Sequence, residues 1–135
     1  MTSTFAATFI LLYIAHLTAD YALQTDHQAA HKALPGWAGW RANLFHAAVH
    51  IGAAAALLRL GAAALGLHPT TAALAVAYLW LGTTHAIIDR RWPVLWWMRT
   101  TGSADYIQHG GAAHVDQTAH IALGLLPAAL ALTRL

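Results

Sequence analysis

Thr70-Thr-Ala-Ala-Leu-Ala-Val-Ala-Tyr-Leu-Trp-Leu-Gly-Thr-Thr-His85-Ala-Ile-Ile-Asp89 carries no formal charge before its last residue. An α-helix of that length spans about 30 Å, the thickness of a bilayer's hydrocarbon core. His68-Pro69 precedes the run and Arg90-Arg91-Trp92-Pro93 follows it, so breakers mark both ends. The stretch reads as a transmembrane helix closing on a polar pair, His85 and Asp89, at i,i+4 spacing. An apolar run with an i,i+4 pair of His or Asp recurs along the chain, and it decides the fold class.

Hydropathy and punctuation predict three more spans, at about Ser3 to Leu23, Ala42 to Leu67 and Ala113 to Thr133. Pro35-Gly36 and Gly39 interrupt the first connection. The long third one, Trp92 to Ala112, contains Trp96, Trp97, Met98 and Tyr106, and part of it is expected to lie in the membrane interface as an aromatic belt. Four crossings consume about 80 residues, leaving only short loops in a chain of 135. The expected fold is all-α: a polytopic membrane protein, residues 1–135 forming a single four-helix transmembrane domain with an intramembrane metal site. Abundant Ala and scattered Gly suit close helix packing where lipid supplies no hydrophobic drive. No alternating segments recur, which excludes a barrel.

The chain is 59% hydrophobic and 9% charged, too apolar for an ordinary soluble domain of this size. Its net charge of +2 does not imply nucleic-acid binding, because the cations lie singly or as Arg90-Arg91 beside apolar segments. Without cysteine there are neither disulfides nor thiolate ligands. Thr4 to Ile14 resembles a signal-peptide core, but no basic residue precedes it and His16 and Asp20 follow directly, so it is read as a mature helix. Lys32 and Arg41 flank the first connection and Arg90, Arg91 and Arg99 the third, against Arg59 and Arg134 on the other side. The positive-inside rule then places these connections in the cytoplasm and both termini outside.

The polar pairs are His16 and Asp20, His46 and His50, His85 and Asp89, and Asp116 and His120, one pair per span. At i,i+4 spacing both side chains share a helix face, with Cβ atoms about 5–6 Å apart, close enough to reach a common ion. Antiparallel threading sorts the eight into a deeper layer, His16, His50, His85 and His120, and a shallower one, Asp20, His46, Asp89 and Asp116. A single intramembrane His or Asp is commonly a helix-packing hydrogen bond or part of a proton path. Four pairs agreeing in depth favour a metal centre.

Charge points the same way, since three buried carboxylates without cations are costly. Two divalent ions balance three aspartates and a bridging hydroxide, so a dinuclear site is expected, with protonated or outer Asp residues as the route to a mononuclear one. Imidazole and carboxylate ligands suit zinc, with iron or manganese as alternatives. Gln24, one turn below Asp20, and Gln117, beside Asp116, are candidates to orient ligands from outside the coordination sphere. Asn43 is read as a cap for the second helix. His27, His31, His109 and His114 are read as interfacial, with His109 or His114 as candidates for the mouth, and His68 as a turn residue. Arg41, Arg90 and Arg91 are expected to surround the mouth, as topology anchors or as a phosphate-attracting ring.

The run His16-Leu-Thr-Ala-Asp20-Tyr-Ala-Leu-Gln24-Thr with Lys32 downstream, His46 and His50, His85-Ala-Ile-Ile-Asp89, and Asp116-Gln117-Thr-Ala-His120 together resemble a family of small bacterial and phage membrane proteins. The family is catalogued as a domain of unknown function, number three-three-zero-seven, and the resemblance covers nearly the whole chain. Its motif style is similar to that of inner-membrane proteins labelled metal-dependent hydrolases. The resemblance implies a bacterial inner-membrane location and hydrolytic chemistry. Arg90-Arg91-Trp92-Pro93 and the Trp-rich third connection depart from the family pattern.

No Ser or Cys nucleophile with a supporting base is visible, so a metal-held hydroxide is the expected attacker, with Asp116 or Asp20 as general base. A site near the cytoplasmic face favours an amphiphilic substrate: a phospholipid, a lipid-linked phosphate, or an acylated or membrane-inserted peptide. Three alternatives use the same residues. They are a di-iron oxidase, a metal or proton transporter, and a haem-binding electron carrier. Transport is disfavoured because the outer halves of the spans are almost wholly apolar.

Overall fold

A computed structural model describes residues 2–135, and burial from Thr4 onward; Met1 of the expected domain lies outside the described residues. The first helix, α1 (Thr2–Leu17), runs on into a π-helical turn, Thr18–Ala22. Short α2 (Asp26–His31) leads to α3 (Gly36–Leu65) and α4 (Thr71–Ile88). The third connection forms α5 (Trp92–Thr100) and α6 (Ala104–Gln108). The last crossing is composite: α7 (Gly111–Ala119), a π-helical segment His120–Leu125, and α8 (Leu126–Arg134). No strand occurs among the described residues. Four helices are long and apolar enough to cross a membrane: Thr4–Ala22, Gly36–Leu65, Thr71–Ile88 and Gly111–Arg134.

One boundary differs from the sequence expectation. The second long helix begins at Gly36, not near Ala42, because Pro35 caps it in extended conformation and nothing after Gly36 breaks it. Gly39 fits inside this helix because a Cβ there would collide with the Leu34 carbonyl. The third connection is itself helical. Pro93 lies in the first turn of α5, where its missing N–H costs nothing, and Val94 and Met98 pack with Ile88. Trp92, Trp96 and Trp97 remain exposed on the other side.

The long helices form a closed ring: α1 packs on α3, α3 on α4, α4 on α8, and α8 on α1. Small residues bring them together. Ala15, Ala54, Ala73, Ala77, Ala128 and Ala129 are buried with Leu12, Leu58, Leu81, Leu125 and Leu132, while Phe45, Leu60, Val76 and Leu79 point outward. Large apolar side chains outside and small ones inside is the arrangement for helices whose surroundings are as apolar as their core.

Both π segments have a local cause. In the first, the Thr18 hydroxyl donates to the Ile14 carbonyl at 2.8 Å and the Leu23 N–H reaches back to Thr18 O, widening the turn that holds Asp20. In the last crossing, Pro127 supplies no N–H to the carbonyl of Leu123, four residues earlier. That carbonyl accepts the indole N–H of Trp80, on α4, at 2.8 Å. Trp80→Phe is therefore expected to destabilise the protein by about 1–2 kcal/mol. The loss should be smaller in a Pro127→Ala background, where a backbone donor returns; equal losses in a double-mutant cycle of thermal unfolding in detergent would contradict this account.

Candidate metal centre

The helix ends that face the α2–α3 connection bring seven of the eight paired residues into one buried cluster: His16, Asp20, His46, His50, His85, Asp89 and His120 are each at most 7% exposed. Seven of the eight paired residues divide between two spaces as the expected layers do. His16, His50, His85 and His120 line a cavity of about 20 Å³ whose other walls are largely apolar, including Leu12, Ala54, Leu81 and Leu125. Asp20, Asp89 and Asp116 instead line a cleft of about 590 Å³ with Gln117, Lys32 and Arg91. His46 lies between, fully buried.

Asp20 is the hub. Its Oδ1 stands 3.1 Å from His46 Nε2 and 3.2 Å from His50 Nε2, and those two nitrogens are 3.3 Å apart. Its Oδ2 accepts the Gln117 amide N–H at 3.0 Å and lies 3.3 Å from His16 Nε2. The Gln117 carbonyl oxygen is 3.1 Å from the same His16 nitrogen, so Gln117 bridges Asp20 and His16. Ligands about 2.0–2.1 Å from a tetrahedral zinc ion lie about 3.3–3.4 Å from one another, and the triangle of Asp20 Oδ1, His46 Nε2 and His50 Nε2 nearly has those edges.

Hydrogen bonding alone leaves this cluster in conflict. His46 Nε2 also faces Lys32 Nζ at 3.1 Å and Asp89 Oδ2 at 3.5 Å. Protonated, that nitrogen donates to the carboxylate but meets the lysine donor to donor. Unprotonated, it accepts from lysine but meets Asp20 lone pair to lone pair. A cation bound by Asp20, His46 and His50 removes the clash within that triangle. Nearby, His85 Nε2 and Asp89 Oδ2 are 3.1 Å apart, yet neither His85 Nε2 nor His120 Nε2 has a hydrogen-bond partner among the described residues, and Asp89 Oδ2 is met by the Lys32 ammonium. Buried polar atoms without partners are costly, and converging ones are what a metal site requires. Two groups have ligand atoms close enough together to hold an ion: Asp20, His46, His50 and His85, and His85, Asp89 and His120.

Asp116 lies at the rim, its side chain 22% exposed, with Oδ2 3.3 Å from His120 Nδ1. The same ring nitrogen donates to the Asp116 carbonyl at 3.0 Å, which turns His120 Nε2 toward Asp89 Oδ1, 3.9 Å away. Asp116 thus orients a histidine, as carboxylates beside metal-binding imidazoles do. Gln24 differs from its expected role: its amide donates to the Asp20 backbone carbonyl, one turn back on its own chain, rather than to a carboxylate.

The arginines divide. Arg91 lines the cleft, from a backbone with φ +63° that ordinary side chains avoid. Arg90 does not ring the mouth; its guanidinium donates to the Lys32 and Leu34 carbonyls at 2.7 and 2.6 Å and stacks on Trp40. Arg41 is exposed and forms no part of the cleft wall. His27 and His31 stack on each other, His109 bonds the Asp105 carbonyl, and His114 stacks on Tyr106; none of them lines the cleft, and His68 is an exposed turn residue.

Two contributors escaped sequence reasoning. Lys32, read as a topology anchor, is buried with its ammonium 3.0 Å from Asp89 Oδ2. Asn43, read as a helix cap, lies two turns inside α3 and is fully buried. Its amide donates to Lys32 O and to Ala86 O, the latter a carbonyl whose helical partner, Arg90 N–H, bonds Ile87 instead. Neither residue belongs to a periodic pattern; Lys32 stands out along the chain only as part of the family motif, and Asn43 not at all. Asn43→Leu should cost about 1–3 kcal/mol in thermal stability by leaving the Ala86 carbonyl unpaired, while the Lys32 carbonyl keeps its bond from Arg90; a neutral effect would show that water takes over the lost bond.

The architecture is thus an all-helical chain with four candidate membrane helices and a buried cluster of His and Asp able to hold metal. Residues 8–133, all the clustered residues included, match the family described as "Protein of unknown function (DUF3307)", and the chain belongs to it. No curated protein and no solved structure matches the chain.

Proposed function

We propose that the protein is a membrane-embedded, metal-dependent hydrolase acting on an amphiphilic substrate with an anionic headgroup. The triangle of Asp20, His46 and His50 carries this reading, since its edges fit a tetrahedral ion and no tautomer of His46 satisfies both Asp20 and Lys32. Zinc fits the imidazole and carboxylate set best. A bound ion would bring the pKa of a water to about 7 and hold a substrate oxygen.

The chain's own residues supply the remainder. Asp116, half in the cleft and beside His120, is positioned to take the proton of the attacking water. The water oxygen then bonds to the phosphorus or carbonyl carbon, the bond to the leaving alkoxide breaks, and that alkoxide takes the proton from Asp116. Lys32 and Arg91 give the cleft positive charge beside apolar Val94, Leu95 and Ala113, a combination suited to a lipid-linked phosphate. The apolar floor under the histidines supports hydrolysis over transport, because among the described residues the bundle beyond it is packed mainly with apolar side chains.

Zinc measured per chain by elemental mass spectrometry should be lost in Asp20→Asn and His50→Ala. Asp116→Asn should keep the ion, because the His120 it orients lies outside the triangle. Retention of full zinc in both Asp20→Asn and His50→Ala would remove the basis of the proposal.

Arg91→Gly separates the backbone role of that residue from its charge. The variant should melt at a higher temperature, because glycine relieves a conformation that costs on the order of 1 kcal/mol. Its KM for a lipid phosphate monoester presented in vesicles should nevertheless rise about tenfold, the effect of losing one charged contact. Zinc-loaded wild-type protein that hydrolysed neither lipid phosphates nor lipid esters would exclude the reaction while leaving the metal centre standing.

A further inference from the structure

Lys32 is the most heavily anchored residue of the connection between α2 and α3. Ahead of it, Thr25 and Gln28 form a reciprocal capping box, and the Gln28 carbonyl accepts the Lys32 N–H at 2.9 Å. The Lys32 carbonyl in turn accepts from Arg90, at the end of α4, and from buried Asn43, in α3. Side chains from two long helices therefore converge on one loop carbonyl. Their shared effect is to hold the lysine stem pointing into the bundle.

The ammonium lands 3.0 Å from Asp89 Oδ2, which it takes out of any ligand set, and 3.1 Å from His46 Nε2, which gives up that contact when its lone pair turns to an ion shared with Asp20 and His50. The two buried carboxylates are Asp20 and Asp89, since Asp116 is partly exposed at the rim. Lysine balances one of them. A single divalent ion with a hydroxide then leaves the buried centre neutral, whereas a second divalent ion would leave it with two excess positive charges in a low-dielectric interior. The two-ion balance drawn from three aspartates counts a carboxylate that is partly solvated and omits a cation that is present.

We infer that the centre takes one divalent ion, at Asp20, His46 and His50, and that the Lys32 ammonium occupies the place of a second metal. This rests on the metal reading above and sharpens it. Lys32 also lines the cleft, so a remaining donor faces the substrate. There it can hold the oxygen on which charge develops, the part a second ion plays in two-metal sites.

The test is zinc stoichiometry of the full-length protein in detergent, by calorimetric titration with Zn²⁺ alone and by elemental analysis after dialysis. Wild type should bind one zinc per chain. Lys32→Met should bind two, because Asp89 joins His85 and His120 as an open ligand set, and Lys32→Arg should return to one. Two zincs in the wild type, one in Lys32→Met, or two in Lys32→Arg would each overturn the inference and leave the metal centre intact. No zinc in the wild type would overturn the metal reading itself, and this inference with it. Should Lys32→Met fail to fold, X-ray absorption on the zinc-loaded wild type decides: a metal–metal vector at about 3.5–4 Å refutes the single ion, and its absence together with one zinc per chain supports it.

Discussion

Everything at the functional end of this bundle depends on two carboxylates, Asp20 and Asp89, held away from water. A buried carboxylate is tolerated only where cations or donors surround it. Around Asp20 stand three imidazoles and the Gln117 amide; around Asp89 stand Lys32, His46 and His85, with His120 further off. Each of the four long helices contributes at least one of these groups. The helix ends are thus cross-linked electrostatically, while the other half of the bundle is held chiefly by apolar packing built on alanine and leucine.

That division explains where the backbone departs from regular helix. A π turn occurs at Asp20 and another begins at His120. The first follows from a threonine hydroxyl competing for a helix carbonyl, the second from a proline one turn beyond, whose freed carbonyl is satisfied by Trp80. Such turns rotate the following side chains relative to an ideal helix and are frequent at functional sites. Here they adjust the aim of residues that must converge from helices on opposite sides of the ring.

The α2–α3 connection brings these features together. Arg90 and Asn43 spend their donors on its carbonyls rather than on solvent or substrate, and the result is a lysine fixed at the centre. Positive charge near the cleft therefore comes from Lys32 and Arg91, not from a ring of three arginines. The cleft's apolar lower wall is formed partly by Val94 and Leu95 of α5, a helix that Pro93 opens.

The number, approximate limits and polar pairing of the four long helices follow from the sequence, because apolar length and i,i+4 spacing are properties of a single helix and need no partner to be read. The paired histidines and aspartates were legible for the same reason, as was their order in depth, since alternating helix direction converts position along the chain into height. Tertiary structure alone decided which pairs touch, that Asp116 orients His120 from the rim, that Arg90 clamps a loop, and that Lys32 and Asn43 belong to the centre. Those roles depend on which carbonyls the helix ends leave unpaired and on which side chain from another helix reaches them, and neither has a period along the chain.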